Sequence, residues 1–227
     1  MKNHITTTLV LLAHYPKRAK NVEKIVEKFL EGDTAPNEII VFVDDSKVEL
    51  NLPSFIHIIY SSKSISVMAR LFVSTFANST HVMLLDTDLM PKKDTLRKLT
   101  EFASLYPKAV LGHEGVTLDK DSMTPYTSVK THTVKKVEEC DVLIRSYYVP
   151  IQVFANGLKM FWEDSLPDRY ADDLIICLAN RFLAKEKNYI VPVEFEELND
   201  MGIGQCKNQE HYVIRNQVCR HLIEKYH

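Results

Sequence analysis

Two kinds of apolar pattern alternate along the first half of the chain. Thr7 to Ala13 is a continuous β-rich apolar run, ended by His14-Tyr15-Pro16. Ala19 to Leu30 follows with Val22, Ile25, Val26 and Phe29 at helical spacing, and Gly32 closes that helix. Glu38 to Val43 is a second apolar run, ending in Asp44-Asp45-Ser46. A strand, a helix and a strand in so short a span predict a β-α-β unit and a parallel sheet. The alternation continues. Ile56 to Tyr60 reads as a strand, Ser66 to Ala77 as a helix and His81 to Leu85 as a strongly apolar strand. Asp94 to Leu105 reads as a helix after Pro91 with Asp94 as its cap, and Ala109 to Gly112 as a short strand. A doubly wound, nucleotide-binding sheet has this order of elements.

After Gly112 the pattern changes. Gly115 to Lys136 is rich in Thr and Ser and reads as a loop with a hairpin. Val142 to Val149 and Ile151 to Ala155 have strand character. Asp172 to Ala184 is a helix with Leu174, Ile175, Leu178, Phe182 and Leu183 on its apolar side. Ile190 to Val193 reads as a last strand and His211 to Lys225 as a last helix. No repeat, low-complexity tract or linker interrupts the chain, so the expectation is one α/β domain over residues 1–227. Its first half, to about residue 112, would bind a nucleotide, and 113–227 would form the acceptor side.

Composition narrows the partners. The 227 residues carry 28 basic and 30 acidic side chains, a formal charge of -2, which gives no reason to expect nucleic acid or an anionic membrane surface. No apolar stretch approaches the ~20 residues of a membrane span. Met1 to Ala13 lacks a signal-peptide cleavage site. Cys140, Cys177, Cys206 and Cys219 lie far apart without a CxxC pair, which argues against a zinc site and for reduced thiols. The expected location is cytoplasmic.

The chemistry concentrates at His81-Val82-Met83-Leu84-Leu85-Asp86-Thr87-Asp88-Leu89-Met90-Pro91. An apolar strand delivers two carboxylates at its C-terminal end, where open α/β sheets bind ligands. On an extended strand Asp86 and Asp88 would project to one side and Thr87 to the other. Two hard oxygen ligands on one side suit Mg²⁺ or Mn²⁺, with phosphate oxygens and water completing the octahedron. A second acidic element, Asp172-Asp173, opens a helix. Capping and the helix dipole alone would favour acids there, and proton acceptance is the functional alternative.

These residues resemble the GT-A glycosyltransferases, whose metal-binding DxD ends a central strand as Asp86-Thr87-Asp88 does. Exostosin-like enzymes and compact virus-encoded GT-A domains are the members most similar. The resemblance follows the order and spacing of elements over most of the chain, though few positions are distinctive. It implies a UDP-sugar donor and a glycan or other hydroxyl acceptor, with Mn²⁺ or Mg²⁺ as cofactor. Tyr15 and Arg18 would meet the nucleotide, Asp44 or Asp45 would read the base, and Arg70 would face the diphosphate. Asp172-Asp173 would face the acceptor as catalytic acids, with Asp173 the preferred base. The loop Gly202-Ile203-Gly204 and His211 would follow, with His211 as third metal ligand beside Asp86 and Asp88 and Arg215 reaching the diphosphate. Arg145 departs from the family, which often has glycine near Val142 to Ser146. Tyr126 and Trp162 are candidates for stacking on sugar.

Three other readings stay in view. Haloacid-dehalogenase-like phosphatases also place a DxD after an apolar strand, but want Thr or Val where Met90 stands. Nucleotidylyltransferases open with a Gly-rich signature that Ala13 to Arg18 lacks. A non-catalytic nucleotide-sugar-binding module would have no need of both carboxylates.

Overall fold

Strand β1, Thr7–Ala13, is buried along its whole length, which explains its unbroken apolar sequence: both faces of the sheet are covered. The side chains still alternate. Leu9, Leu11 and Ala13 enter one core and Val10 and Leu12 the other. The computed structural model describes residues 4–45, 47–127, 130–132, 134–199 and 208–227. Ser46, Cys206 and the loop Gly202-Ile203-Gly204 lie outside the described residues.

Helix α1 (Ala19–Leu30) connects β1 to β2 (Glu38–Val43), and β3 (His57–Tyr60) follows. Next come α2 (Ala69–Val73), β4 (His81–Leu85), β5 (Leu89–Pro91) and α3 (Thr95–Leu105). The second half holds β6 (Val110–Gly112), β7 (Glu114–Val116), β8 (Lys130–His132), β9 (Glu138–Cys140), β10 (Val142–Leu143), β11 (Ser146–Pro150) and α4 (Gln152–Glu163). It ends with α5 (Asp172–Phe182), β12 (Asn188–Ile190), β13 (Phe195–Glu197) and α6 (Gln209–Tyr226). The central sheet has eight strands in the order β3-β2-β1-β4-β11-β6-β12-β9. It is mostly parallel, with β11 and β9 antiparallel to their neighbours. Helices α1 and α3 cover one face, and α2, α4, α5 and α6 the other. Chain order reverses between β1 and β4, so a crevice opens at their C-terminal ends.

Several elements differ from the sequence expectation. The Ser66 to Ala77 helix is one short α segment between two 3₁₀ turns, Ser66–Met68 and Ser74–Phe76. Ile151 to Ala155 is not a strand. It leads into α4, whose buried Val153, Phe154, Gly157, Met160 and Phe161 follow helical spacing. A five-residue segment with four apolar positions cannot distinguish the two. The strand expected over Val142 to Val149 breaks in the middle, because Arg145 adopts φ 65°. The strand expected over Ile190 to Val193 lies two to three residues earlier, at Asn188–Ile190, and is not the last, because β13 follows it. Asp94 occupies the N-cap position of α3 but makes no capping hydrogen bond; its carboxylate pairs with Lys98 at 2.8 Å instead. The expected hairpin is present as antiparallel β7 and β8.

Gly112 sits where β6 approaches β11. A Cβ there would collide with the Ser146 carbonyl oxygen and approach Leu143 Cδ2 to 2.9 Å. Because backbone cannot yield as a side-chain tip can, Gly112→Ala is expected to cost about 2 kcal/mol or more. Urea denaturation checks this, and a midpoint equal to wild type would contradict it.

Candidate active site

The Asp86-Thr87-Asp88 segment is a tight turn and not a continuation of β4, with Leu89 N donating to Asp86 O at 3.1 Å. Strand alternation therefore does not aim the two carboxylates; the turn does. Three backbone contacts fix it. Asp86 N donates to Arg145 O at 2.8 Å, and Leu198 N donates to Asp88 O at 2.7 Å. Asn21 Nδ2, from α1, donates to Thr87 O at 2.8 Å. The third contact is long-range in sequence, and nothing in the local pattern around Asn21 announces it.

The turn forms one wall of an open cleft of about 200 Å³. From β1 and the segment after it come His14, Tyr15 and Arg18; from α2 comes Arg70. The other walls are Arg145 and Tyr147, the α5 acids Asp172 and Asp173, and His211 and Arg215 from α6. The cleft thus gathers most of the residues singled out in the sequence from widely separated positions. Asp44 and Asp45 are not among its lining residues. Asp44 lies behind His14, whose Nδ1 is 2.9 Å away. It also accepts from Ser64 Oγ at 2.6 Å, Ile65 N at 2.7 Å and Ser66 N at 3.1 Å. Both of its oxygens are committed within the protein. Asp45 accepts from Lys47 N at 2.9 Å.

Four arginines interleave with four aspartates in this cleft. Arg70 Nη2 donates to Asp86 Oδ1 at 2.6 Å, while its Nη1 lies 3.5 Å from Asp172 Oδ2. Arg18 Nη2 and Arg145 Nη2 each stand 3.3 Å from an oxygen of Asp88. Arg215 grips Asp173 with both ends of its fork, at 2.7 and 2.6 Å. The Arg215 guanidinium also lies 4.0 Å above the Tyr126 ring, so that ring is already stacked on a cation. Trp162 lies elsewhere. It is 67 % exposed and packs on Phe72 and Phe161, so it does not line this cleft.

The two α5 acids differ in environment. Asp173 also accepts from Leu174 N at 2.8 Å and is saturated by Arg215. Asp172 is buried, and its Oδ2 has no hydrogen-bond partner. Burial pushes the Asp172 carboxyl up to about 7, opposed by Arg70 and reinforced by Asp173 and Asp86. Arg70 opposes it from 3.5 Å, its short contact going to Asp86. An acid whose folded pKa lies above its ordinary value holds a proton that the unfolded chain has lost. Stability is then expected to fall as pH rises from about 4 to about 7. Asp172→Asn removes this cost, so the variant is expected to melt higher than wild type at pH 8, with the gap closing toward pH 4. A gap independent of pH would contradict the assignment.

Burial raises the Asp88 carboxyl, and the neighbouring charge of Asp86 raises it further. Two carboxylates that resist joint ionisation are relieved by a shared cation, so the pair fits Mg²⁺ or Mn²⁺ as a two-ligand site. Among the described residues no three His, Cys, Asp or Glu side chains stand close enough to hold a metal. His211 lines the cleft against Tyr170 and Tyr212 without joining Asp86 and Asp88 in such a group.

Sequence reasoning did not assign Tyr147, Glu197 or Glu114. Tyr147 is buried in the cleft wall, accepts from Arg145 N at 2.8 Å, and has its hydroxyl pushed well above its usual range by burial. Glu197 reaches the acidic turn through β13, which pairs with β5. Cys140, Cys177 and Cys219 are free and buried, and burial pushes their thiols upward. No helix among the described residues is long and apolar enough to cross a membrane.

An acidic turn at the switch point of the sheet, with antiparallel β11 wedged beside its strand, defines the class of fold. The chain has the GT-A, Rossmann-like architecture. Its solved structural neighbours include S. aureus TarS, a glycosyltransferase, at TM-score 0.59 and 12% identity. That match covers 86% of this chain and 37% of TarS. A shorter TarS structure, its 1–349 portion, matches at TM-score 0.55 and 11% identity, covering 86% of this chain and 60% of that one. The chain therefore spans less than two thirds of either. No protein-family model and no curated protein matches the sequence. The likeness to exostosin-like and virus-encoded members rests on the residues alone.

Proposed function

We propose that this chain is a metal-dependent glycosyltransferase that moves a sugar from a UDP-sugar to a hydroxyl of a glycan or similar acceptor. The observation that carries the reading is the cleft itself. A paired carboxylate turn, Asp86 and Asp88, faces Asp172, a buried acid with a free oxygen and a pKa near neutrality, across one guanidinium, Arg70. The charges of the arginines and aspartates nearly balance, so a diphosphate would need added positive charge to enter. A divalent ion on the carboxylate pair supplies that charge and would act as a Lewis acid toward the leaving nucleotide.

The protein's own groups do the rest. Tyr15 and Arg18 hold the nucleotide end, and Asp44 serves there by fixing His14 and the 64–66 segment. Arg70 and Arg215 present fixed cations to the diphosphate. Asp172 accepts the proton of the acceptor hydroxyl, and Asp173 holds Arg215 in place. This reverses the preference for Asp173 as base, because a carboxylate already gripped by two N–H groups is the poorer proton acceptor. Residues before about 112 form the donor side and those after it the acceptor side. A base placed opposite the leaving group leads to inversion.

The test is a panel of UDP-sugars with Mn²⁺, read as release of UDP with and without simple sugar acceptors. Metal-dependent release from one of them is expected. Release of inorganic phosphate from phosphorylated sugars instead would favour the phosphatase reading, and UDP binding with no turnover a binding module.

A further inference from the structure

Arg145 takes no part in the reaction proposed above, yet no residue around the acidic turn is more constrained. Its φ of 65° lies in the left-handed region, which a long side chain occupies only where its surroundings hold it. Here they do. Its carbonyl oxygen accepts from Asp86 N, and its own N donates to the Tyr147 hydroxyl. Its guanidinium is gripped by Glu197, with Nη1 and Nη2 each 2.6 Å from a carboxylate oxygen. The same fork leans on the acidic turn, 3.3 Å from Asp88 Oδ1, and stands 3.6 Å from buried Glu114.

We propose that Arg145 is an internal counter-cation of the Asp86/Asp88 pair, which a divalent ion must displace from Asp88 to bind there, with or without the donor. This inference rests on the metal-dependent reading. Two partly buried carboxylates two residues apart repel each other and are stabilised by nearby positive charge in every state of the protein. Arg18 and Arg145 supply it at Asp88, each at a distance longer than a tight ion pair. A guanidinium does not lose its proton, so it yields only by moving. Glu197 already holds both ends of the fork at closer range than Asp88 does, and Glu114 offers a second carboxylate at Nη1, the end that does not meet Asp88. Displacement therefore leaves the guanidinium paired with Glu197 throughout. Arg145 sets the affinity of the turn for the ion, and Glu197 opposes Arg145 by drawing it away.

Titration of Mn²⁺ alone, by calorimetry, into wild type, Arg145→Gln, Glu197→Gln and Asp88→Asn tests this. Arg145→Gln is expected to bind Mn²⁺ about tenfold tighter, since a cation competing for the same oxygen is gone. Glu197→Gln is expected to bind it more weakly, because the released guanidinium falls onto Asp88. A merely structural role would weaken both variants alike. Arg145→Gly, which suits the left-handed backbone, repeats the first arm, and near-ultraviolet circular dichroism checks the fold of each variant. Unchanged or weaker Mn²⁺ binding in both Arg145 variants would overturn the inference. So would loss of metal-free UDP affinity in them, which would make Arg145 a diphosphate ligand. If Asp88→Asn abolishes Mn²⁺ binding while the Arg145 variants match wild type, only this inference fails. If Asp88→Asn binds Mn²⁺ as wild type does, or no variant binds it, the metal-dependent reading fails with it.

Discussion

Asp88→Asn is expected to lower turnover about 10²- to 10³-fold, the scale of losing one charge-stabilising group at a leaving oxygen. The substitution keeps the shape of the side chain. The turn should persist, because its backbone is held from three sides by Arg145 O, Leu198 N and Asn21 Nδ2. What is lost is half of the negative charge that would attract a divalent ion. Arg18 and Arg145 would then face a neutral amide, and positive charge at that edge would further disfavour the ion. Initial rates of UDP release, with circular dichroism as a check on folding, measure the effect. Turnover within a few-fold of wild type would remove Asp88 from the mechanism.

The second large effect is at Asp172. Asp172→Asn is expected to lower turnover about 10²- to 10⁴-fold, the contribution of a positioned general base. Wild-type turnover is expected to rise with pH through about 7, the value to which burial pushes this carboxyl, because only the ionised form accepts a proton. The sign separates Asp172 from an acid that must stay protonated, whose activity would fall over the same range. Asp173→Asn is the informative comparison. It frees Arg215 from a two-pronged ion pair, so its loss should come with a lower melting temperature, whereas Asp172→Asn should gain stability at pH 8. If Asp173→Asn abolishes the pH dependence and Asp172→Asn keeps it, the two acids exchange roles.

Much of the fold was legible because its strands are simple objects. β1, β2 and β4 are covered on both faces, so each is a continuous apolar run, and α1 has a single apolar stripe. The DxD stood out because it ends such a run. Legibility stopped where conformation depends on distant partners. Arg145 interrupts an apolar run that otherwise reads as one strand, and only the contacts from Asp86 and Tyr147 explain its left-handed backbone. Glu197 meets Arg145 because β13 pairs with β5, a contact across more than a hundred residues that no local pattern encodes. The difference between Asp172 and Asp173 is likewise tertiary: adjacent acids at one helix start, one met by Arg215 and the other left with a free oxygen. Ile151 to Ala155 was misread for a different reason. Four apolar residues in so short a segment satisfy both periodicities, and the decisive Met160 and Phe161 lie beyond them.

The central claim is that a nucleotide diphosphate and a divalent ion bind together at the Asp86/Asp88 turn. Calorimetric titration of UDP with and without Mn²⁺, on wild type and Asp88→Asn, tests it most directly. Tight UDP binding that requires Mn²⁺ and disappears in Asp88→Asn is the expected result. UDP binding indifferent to both the metal and the substitution, or no UDP binding under any condition, would contradict it.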